Sequence, residues 1–566
     1  MASLAKSLSG VALATAIALA APCAAAQTDL GQRLDEHLQR LVPWGFSGAV
    51  LVARSGRVVL ATGYGMADRA HGLPNSALTQ FPLAGASQQF TAVAVLLLAD
   101  QGRLSIDDAL GAHLEGVPSD KQAITLRQLL HHESGLPADV GLPFGAVESK
   151  EEALARILGA PLESVPGTRC NPSSAGYALL CAVVEKLGAL PFEEFVRTKI
   201  FEPSDMRTSL FIGDARAASA PLAHAYVDDN DQGSPASWQP SWPLRGAGAM
   251  VSSVGDLYRW ERALVGEGLL SARAVELLHE PMLGNSACGL FIQRSDADRR
   301  VAQRSSDLAG FQIEVRRGLD DPLSWTLLLN EAMPAAVKHV DALINGRTLA
   351  LPPEVGALDP KLAAAAAGAY ELPGGGRLRV FFERGRMSLA AENQGAVDAL
   401  APPTAESKAW ENEFGARSVA LCENLRGRDF PAAAALLGRT AVEVDSEMGT
   451  WWRKLEQRLG ASSPPKLLAC VAREETVAVK IDFERGAEIV WFVWNGRVLT
   501  EFHPGPAIFS SGRLWPAKDS GLVTYDPASL SVRRLALMLR ADGSVRGLSF
   551  ATDAGEASDS SARRLD

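Results

Sequence analysis

Side chains able to do chemistry are few and scattered along the chain. "FPLAGASQQFTA" (81–92) sets Ser87 at the start of a helix, "NPSS" (171–174) offers Ser173, and "RSSD" (304–307) offers Ser305 and Ser306 beside Asp307. A serine hydroxyl attacks a carbonyl only when a nearby base takes its proton, so His131, His132 or Asp307 would have to serve one of them. Ser87 has no such base on its own helix, because Phe90 stands one turn on. A hydrolase assembled from these serines and bases is therefore one reading, and polar or locally capping serines are the plainer one. Metal chemistry has no matching pattern. Asp107-Asp108 and Glu193-Glu194 read as helix-start and surface carboxylates, the cysteine spacings do not resemble a zinc site, and no cofactor is expected.

With 566 residues the chain has room for three to four structural units. It is 47% hydrophobic and 21% charged, the composition of a folded soluble protein, and its net charge of −10 excludes a general binder of nucleic acid or anionic membrane. Lys6, the apolar run Val11 to Ala21 and the small residues Ala24-Ala25-Ala26 read as a signal peptide over 1–26, cleaved near Ala26/Gln27. The expectation is an exported, periplasmic protein without stable membrane insertion, since the apolar run is too short for an anchor. Cys23 does not fit lipid attachment, because Pro22 stands where such a signal needs a small residue. Export permits disulfides. Five cysteines remain (Cys170, Cys181, Cys288, Cys422 and Cys470), an odd count, with Cys422 and Cys470 the best candidate pair and five free thiols the alternative.

The elements that must position these residues follow from pattern. "FSGAVLVARSGRVVLATGYG" (46–65) alternates as two strands about a Ser-Gly turn, and 87–101 carries apolar residues at helical spacing. Further helices open at Thr125 and Tyr177, and strand-like runs return at 286–293, 311–316 and 323–330. Strands, a block of helices, then strands again indicate an α+β, three-layer domain over 27–350. A Pro/Gly-rich break at 348–360 starts a second region. Its parts at 353–404 and 505–553 read as one β-rich domain in two pieces, 405–504 as an inserted α+β module, and 554–566 as a disordered polar tail.

The stretch from about 31 to 345 resembles the serine β-lactamase and penicillin-binding protein family, in the branch of class C β-lactamases, D-alanyl-D-alanine carboxypeptidases and esterases. "FSGAVLVARSGRVVLATGYGMAD", "GRLSIDDALGAHL", "ITLRQLLHHESGLP", "PGTRCNPSSAGYALLCAVVEKLG" and "GAGAMVSSVGDLYRW" occur in the family's order. The resemblance implies a β-lactamase-like fold of an antiparallel sheet flanked by helices, plus a helical region. It also implies a lipocalin-like C-terminal domain whose insert resembles a nuclear-transport-factor-like fold. The family's chemistry uses a Ser-x-x-Lys at a helix start, a Tyr-x-Asn loop and a strand with Lys-Thr-Gly or His-x-Gly.

On that register, held by Phe81 and by Phe90-Thr91-Ala92, Gly85 stands at the nucleophile position and Gln88 at the lysine position. Pro172 and Ser174 stand for Tyr-x-Asn, and Arg304, Ser305 and Ser306 fall on the strand motif anchored by Gly310-Phe311. A glycine has no oxygen and a glutamine amide is no base near neutral pH. Tyr177 is five residues from the tyrosine position and reads as core, and His131 and His132 read as turn residues. The implied protein is a catalytically inactive member that binds rather than turns over. Gly85, Gln88, Ser173, Ser174, Arg304 and Ser305 are its candidate ligand contacts, and a peptidoglycan-type peptide or a protein partner its candidate ligand. Arg304 could clamp a carboxylate. The alternatives are the rebuilt serine hydrolase and a purely structural interaction protein.

Overall fold

The structure, a computed structural model, describes residues 29–565 apart from 139–146, 228, 240, 267, 296–297, 384, 401–402, 473–474, 505–508, 519–521, 541–543 and 553–556. The expected signal peptide over 1–26 lies outside the described residues. The chain divides into two compact units, Met1–Leu351 and Pro352–Asp566.

The first unit is built on an antiparallel sheet whose strands run Phe291–Arg294, Arg300–Leu308, Phe311–Gly318, Leu323–Glu331, Ser47–Arg54 and Arg57–Tyr64 in spatial order. The first two strands in sequence are a hairpin because Ser55 (φ 53°) and Gly56 (φ 74°) both take the left-handed backbone that a tight two-residue turn demands. Ser47–Arg54 pairs on its other side with Leu323–Glu331, so the start and end of the unit meet in the sheet. Both central strands are almost wholly buried, as expected of a sheet covered on two faces.

The helical layer packs around Gln88–Asp100, of which all residues from Gln88 to Leu96 are buried. Phe90 stacks on Trp260 with ring centroids 4.4 Å apart, and Thr91 Oγ1 donates to the Gly246 carbonyl at 2.6 Å. A second buried helix, Ser174–Gly188, lies against it. The capping box of Thr125 and Gln128 starts the short helix Leu126–Leu130 that leads to His131 and His132. Among the described residues no single helix is long and apolar enough to cross a membrane.

The second unit holds an eight-stranded closed barrel: Gly368–Glu371, Arg377–Glu383, Arg386–Ala391, Phe509–Pro516, Leu522–Asp526, Ser531–Leu539, Val545–Thr552 and Ala557–Arg564. Leu378, Leu389, Leu514 and Leu535 belong to its buried core. The last strand corrects the expected disordered tail. Pairing with Val545–Thr552 and Gly368–Glu371 satisfies its backbone, and Arg564 donates to the carbonyls of Ala365 and Ala367. Between the third and fourth barrel strands lie helices including Ala405–Gly427 and Thr450–Leu459, then a four-stranded sheet from Lys466 to Pro504. Trp452, Phe492 and Trp494 are buried in the core these elements share.

All five cysteines described are free, which corrects the candidate Cys422–Cys470 pair. Cys470 Sγ lies against the helix at Glu411, whose carbonyl it faces at 3.5 Å, and a Cβ on Gly415 would meet that sulfur at 3.0 Å. Cys422 is seven residues further along, about 10 Å at 1.5 Å per residue, beyond the reach of a disulfide.

Burial lowers the pKa of several histidines of the first unit. His37 bonds His339 at 3.0 Å, and burial with the neighbouring His339 lowers its pKa to about 4. Burial, Arg304 and His131 lower that of His132 to about 3. His279, lowered to about 3 by burial and Arg317, is offset by Glu261, which burial raises to about 7. Histidines depressed in this way contribute fully above their unfolded value of 6.5 and lose that contribution as pH falls toward 4 and 3. Raised Glu261 has the opposite slope between pH 7 and 4.5. We therefore expect the first unit to lose on the order of 3 kcal/mol between pH 7 and pH 5. Urea midpoints across that range check this, and a flat or rising stability would contradict it.

Candidate functional site

A short strand, Phe81–Pro82, delivers the chain to the site. It pairs with Met250–Ser252, which also pairs with Leu210–Phe211, and Leu83 N–H donates to the Met250 carbonyl at 2.8 Å. Buried Asp256 ties this small sheet down: one of its oxygens accepts from the backbone N–H and the hydroxyl of both Thr208 and Ser209 at 2.8–2.9 Å. The backbone then turns through Ala84, whose φ of 47° lies in the left-handed region. That conformation costs an alanine about 1–2 kcal/mol, so strain is concentrated one residue before Gly85. A 3-10 turn over Ala84–Ser87 leads directly into Gln88–Asp100.

Gly289 (φ 75°) seals this turn from another side. A Cβ there would come within 2.7 Å of the Gln88 carbonyl carbon and Gln89 N, so only glycine allows so close an approach. Gln89 accepts from Trp260 Nε1 at 2.7 Å and donates to the Ala86 carbonyl at 3.0 Å. Ser87 is wholly buried, and its Oγ accepts from Met250 N–H at 3.3 Å. It lies on the packed side of the turn, where its hydroxyl serves the fold.

Gly85 faces the strand Arg300–Leu308. A Cβ built on it would meet Arg304 Nη2 at 2.6 Å, Ser306 Oγ at 2.8 Å and Arg304 Nε at 3.1 Å. The volume that a side chain at position 85 would need is filled by a guanidinium. Arg304 Nη2 donates to Gln88 Oε1 at 2.8 Å, so the residues at the expected nucleophile, lysine and strand positions form one contact. Arg304 is 9% exposed and Gln88 2%. Burial lowers the Arg304 pKa, with Tyr177 and Cys170 acting in the opposite direction, yet guanidinium remains protonated in proteins. Its carbon lies 5.4 Å from the centroid of the Phe291 ring. The strand's pleat sorts its neighbours: Arg304 and Ser306 face Gly85, whereas Ser305 Oγ donates to Glu314 on the adjoining strand. Asp307 is exposed.

The other expected residues have structural partners. Ser173 is buried, its Oγ donates to the Pro137 carbonyl at 2.6 Å, and its N–H donates to His132 Nδ1 at 3.2 Å. Pro172 is exposed, and Ser174 is the half-buried first residue of Ser174–Gly188. Tyr177 donates to the Leu130 carbonyl at 2.7 Å, and burial raises its pKa far above the ordinary value. Among the described hydrogen bonds, none joins a serine hydroxyl to His131 or His132. His131 instead contacts Cys288, with Nε2 and Sγ 3.6 Å apart. Sequence gave no sign of that pair, which is distant along the chain; burial raises the thiol to about 12 and keeps it protonated and inert. Among the described residues no group of three or more His, Cys, Asp or Glu could hold a metal ion.

Residues 34–295 match the family described as Beta-lactamase. PbpX of Bacillus subtilis (strain 168) is 27% identical over 253 residues, 45% of this chain and 63% of PbpX, so the chain spans less than two thirds of that relative. Penicillin-binding protein 4* of the same organism is 26% identical over 403 residues, 64% of this chain and 89% of that protein. The octameric penicillin-binding protein homologue from Pyrococcus abyssi superposes with a TM-score of 0.49 at 17% identity, covering 83% of this chain and 98% of that one.

Because Arg304 and a Cβ at position 85 claim one volume, Gly85→Ala is expected to be coupled to Arg304. It should destabilise the protein by at least about 1 kcal/mol more in the wild-type background than in Arg304→Ala, where the space is vacated. A double-mutant cycle by urea denaturation reads the coupling, and additive effects would contradict the contact.

Proposed function

We propose that this chain, whose first unit is a serine β-lactamase/penicillin-binding-protein-like domain, acts by reversible binding without acyl transfer at the family's site. The observation that carries the reading is the Gly85–Arg304–Gln88 contact. Covalent catalysis in this fold needs an oxygen nucleophile at the helix start and a base one turn on. Here the first position has no side chain, its volume is taken by a cation, and the second position is an amide engaged with that cation. Pro172 in place of the tyrosine adds no ionisable group.

The frame around that position favours binding over a merely inert scaffold. The strained Ala84 backbone persists beside a glycine that no longer presents a nucleophile. Such strain is held only where surrounding packing enforces it, and it gathers at ligand sites. The ligand class we favour is a peptide of the peptidoglycan type, encountered after export to the periplasm, with a protein partner as the second candidate. A rebuilt hydrolase is less favoured: Ser87 and Ser173 are buried in structural hydrogen bonds and Ser305 is turned to Glu314.

Incubation with a fluorescent penicillin and a fluorophosphonate, followed by peptide mapping, tests the proposal. The expected result is no stoichiometric label on any serine. Saturable labelling of a single serine would overturn it.

A further inference from the structure

The hairpin of Ala225–Val227 and Asn230–Gly233 is an appendage of the main sheet. It joins the sheet through one parallel pairing, Tyr226 with Glu331, and lies on the turn between Arg300–Leu308 and Phe311–Gly318. Both turn residues, Ala309 (φ 50°) and Gly310 (φ 93°), are left-handed, and a Cβ on Gly310 would meet Val227 Cγ2 at 2.9 Å and Ala225 Cβ at 3.3 Å. The hairpin is therefore a strap across the end of the strand that carries Arg304 and Ser306. His224 leads into it with its backbone fixed on both sides. Its N–H donates to the Ala67 carbonyl at 2.8 Å, and its carbonyl accepts from Asn330 Nδ2 at 2.8 Å.

The His224 ring stands between two carboxylates. Nδ1 lies 3.0 and 3.1 Å from the two oxygens of Asp231, within the hairpin, and Nε2 lies 3.6 Å from Asp68 Oδ2, at the end of Met66–Asp68. Asp68 is buried. Burial raises its carboxyl, yet hydrogen bonds from the ring and backbone N–H of His71, with the charges of His224 and His71, bring it below the ordinary value. The other charges nearby are matched to one another: Arg69 reaches Asp229 at 2.9 Å and also Glu331, and its carbon lies 4.0 Å from the centroid of the Tyr226 ring. A neutral imidazole has one N–H. That is enough for His71 on Asp68, but His224 would face one carboxylate with a proton and the other with a lone pair. Imidazolium has two N–H groups and serves both at once. The closer contact, with Asp231, keeps the single proton of the neutral ring, so deprotonation is felt at Asp68.

We propose that His224 is a pH-operated latch on this hairpin. Protonated, it ties Asp231 to Asp68 and holds the strap down on the Ala309–Gly310 turn; neutral, it lets go of Asp68 and the strap loosens. The His224 side chain is 28% exposed, so protons reach it from solvent, and histidine is the residue that changes charge between about pH 5 and 8. Arg69 keeps its charge throughout that range, so the strap loosens without detaching. The latch is independent of the non-covalent reading above, because the strap crosses the same strand whether that site binds or reacts.

Hydrogen exchange of the full chain, read by mass spectrometry and corrected for the intrinsic pH dependence of amide exchange, tests the latch between about pH 5.5 and 8. Peptides over 225–233 are expected to lose about threefold or more of their protection as pH rises through that range. The direction is diagnostic. The first unit as a whole is expected to lose stability as pH falls, so hairpin protection that rises at low pH cannot come from global opening. His224→Gln should make hairpin exchange independent of pH, at the fast level of the alkaline end, whereas His71→Gln should keep the dependence. The wild-type series decides alone if a variant does not fold: protection that is flat, or that rises with pH, would overturn the proposal. So would a pH dependence that persists in His224→Gln or vanishes in His71→Gln.

Discussion

Arg304 and the side chain of residue 85 cannot share one volume. With glycine at 85 the guanidinium lies against the first turn of Gln88–Asp100 and reaches Gln88; any larger residue would have to displace it. This exclusion ties together two elements more than two hundred residues apart and sets the character of the site. On the register proposed above, a cation sits where an acyl-transfer enzyme of this fold would hold its nucleophile. The surrounding frame is firm enough to hold that arrangement. Asp256 pins the small sheet behind Leu83, Gly289 closes on the helix start, and Phe90 stacks on Trp260.

Much of this was legible in the residues themselves. The hairpin about Ser55-Gly56, the buried helix from Gln88 and the strands read at 311–316 and 323–330 all carry strong local periodicity, which survives folding because each face has one environment. The register proposed for Gly85 and Gln88 rests on Phe81 and Phe90-Thr91-Ala92, which are buried residues. Two residues along a helix turn a side chain by about 200°, which puts Ser87 on the opposite side from Gly85, and its bond to Met250 agrees with that.

What stayed hidden depends on contacts between distant segments. No local pattern shows that Arg304 fills the space at Gly85, that Ser305 turns to Glu314 while Ser306 does not, or that His131 meets Cys288. Each is decided by strand register or by packing of one element on another. The expected Cys422–Cys470 bridge failed on helix rise, since Cys470 docks two turns short of Cys422. The closing strand Ala557–Arg564 was missed because its polar composition reads as tail; main-chain pairing with two neighbours supplies the order that its side chains do not advertise.

The central claim is that the covalent site is closed by Arg304 within a frame otherwise suited to it. The most direct measurement is the rate of acylation by a fluorescent penicillin, compared between the triple variant Gly85→Ser, Gln88→Lys, Pro172→Tyr and the same variant carrying Arg304→His. The account predicts a silent triple variant, because Arg304 still fills the new serine's space and repels the new lysine, and measurable acylation once Arg304 is gone. Acylation of the triple variant at the same rate as the quadruple one would contradict it.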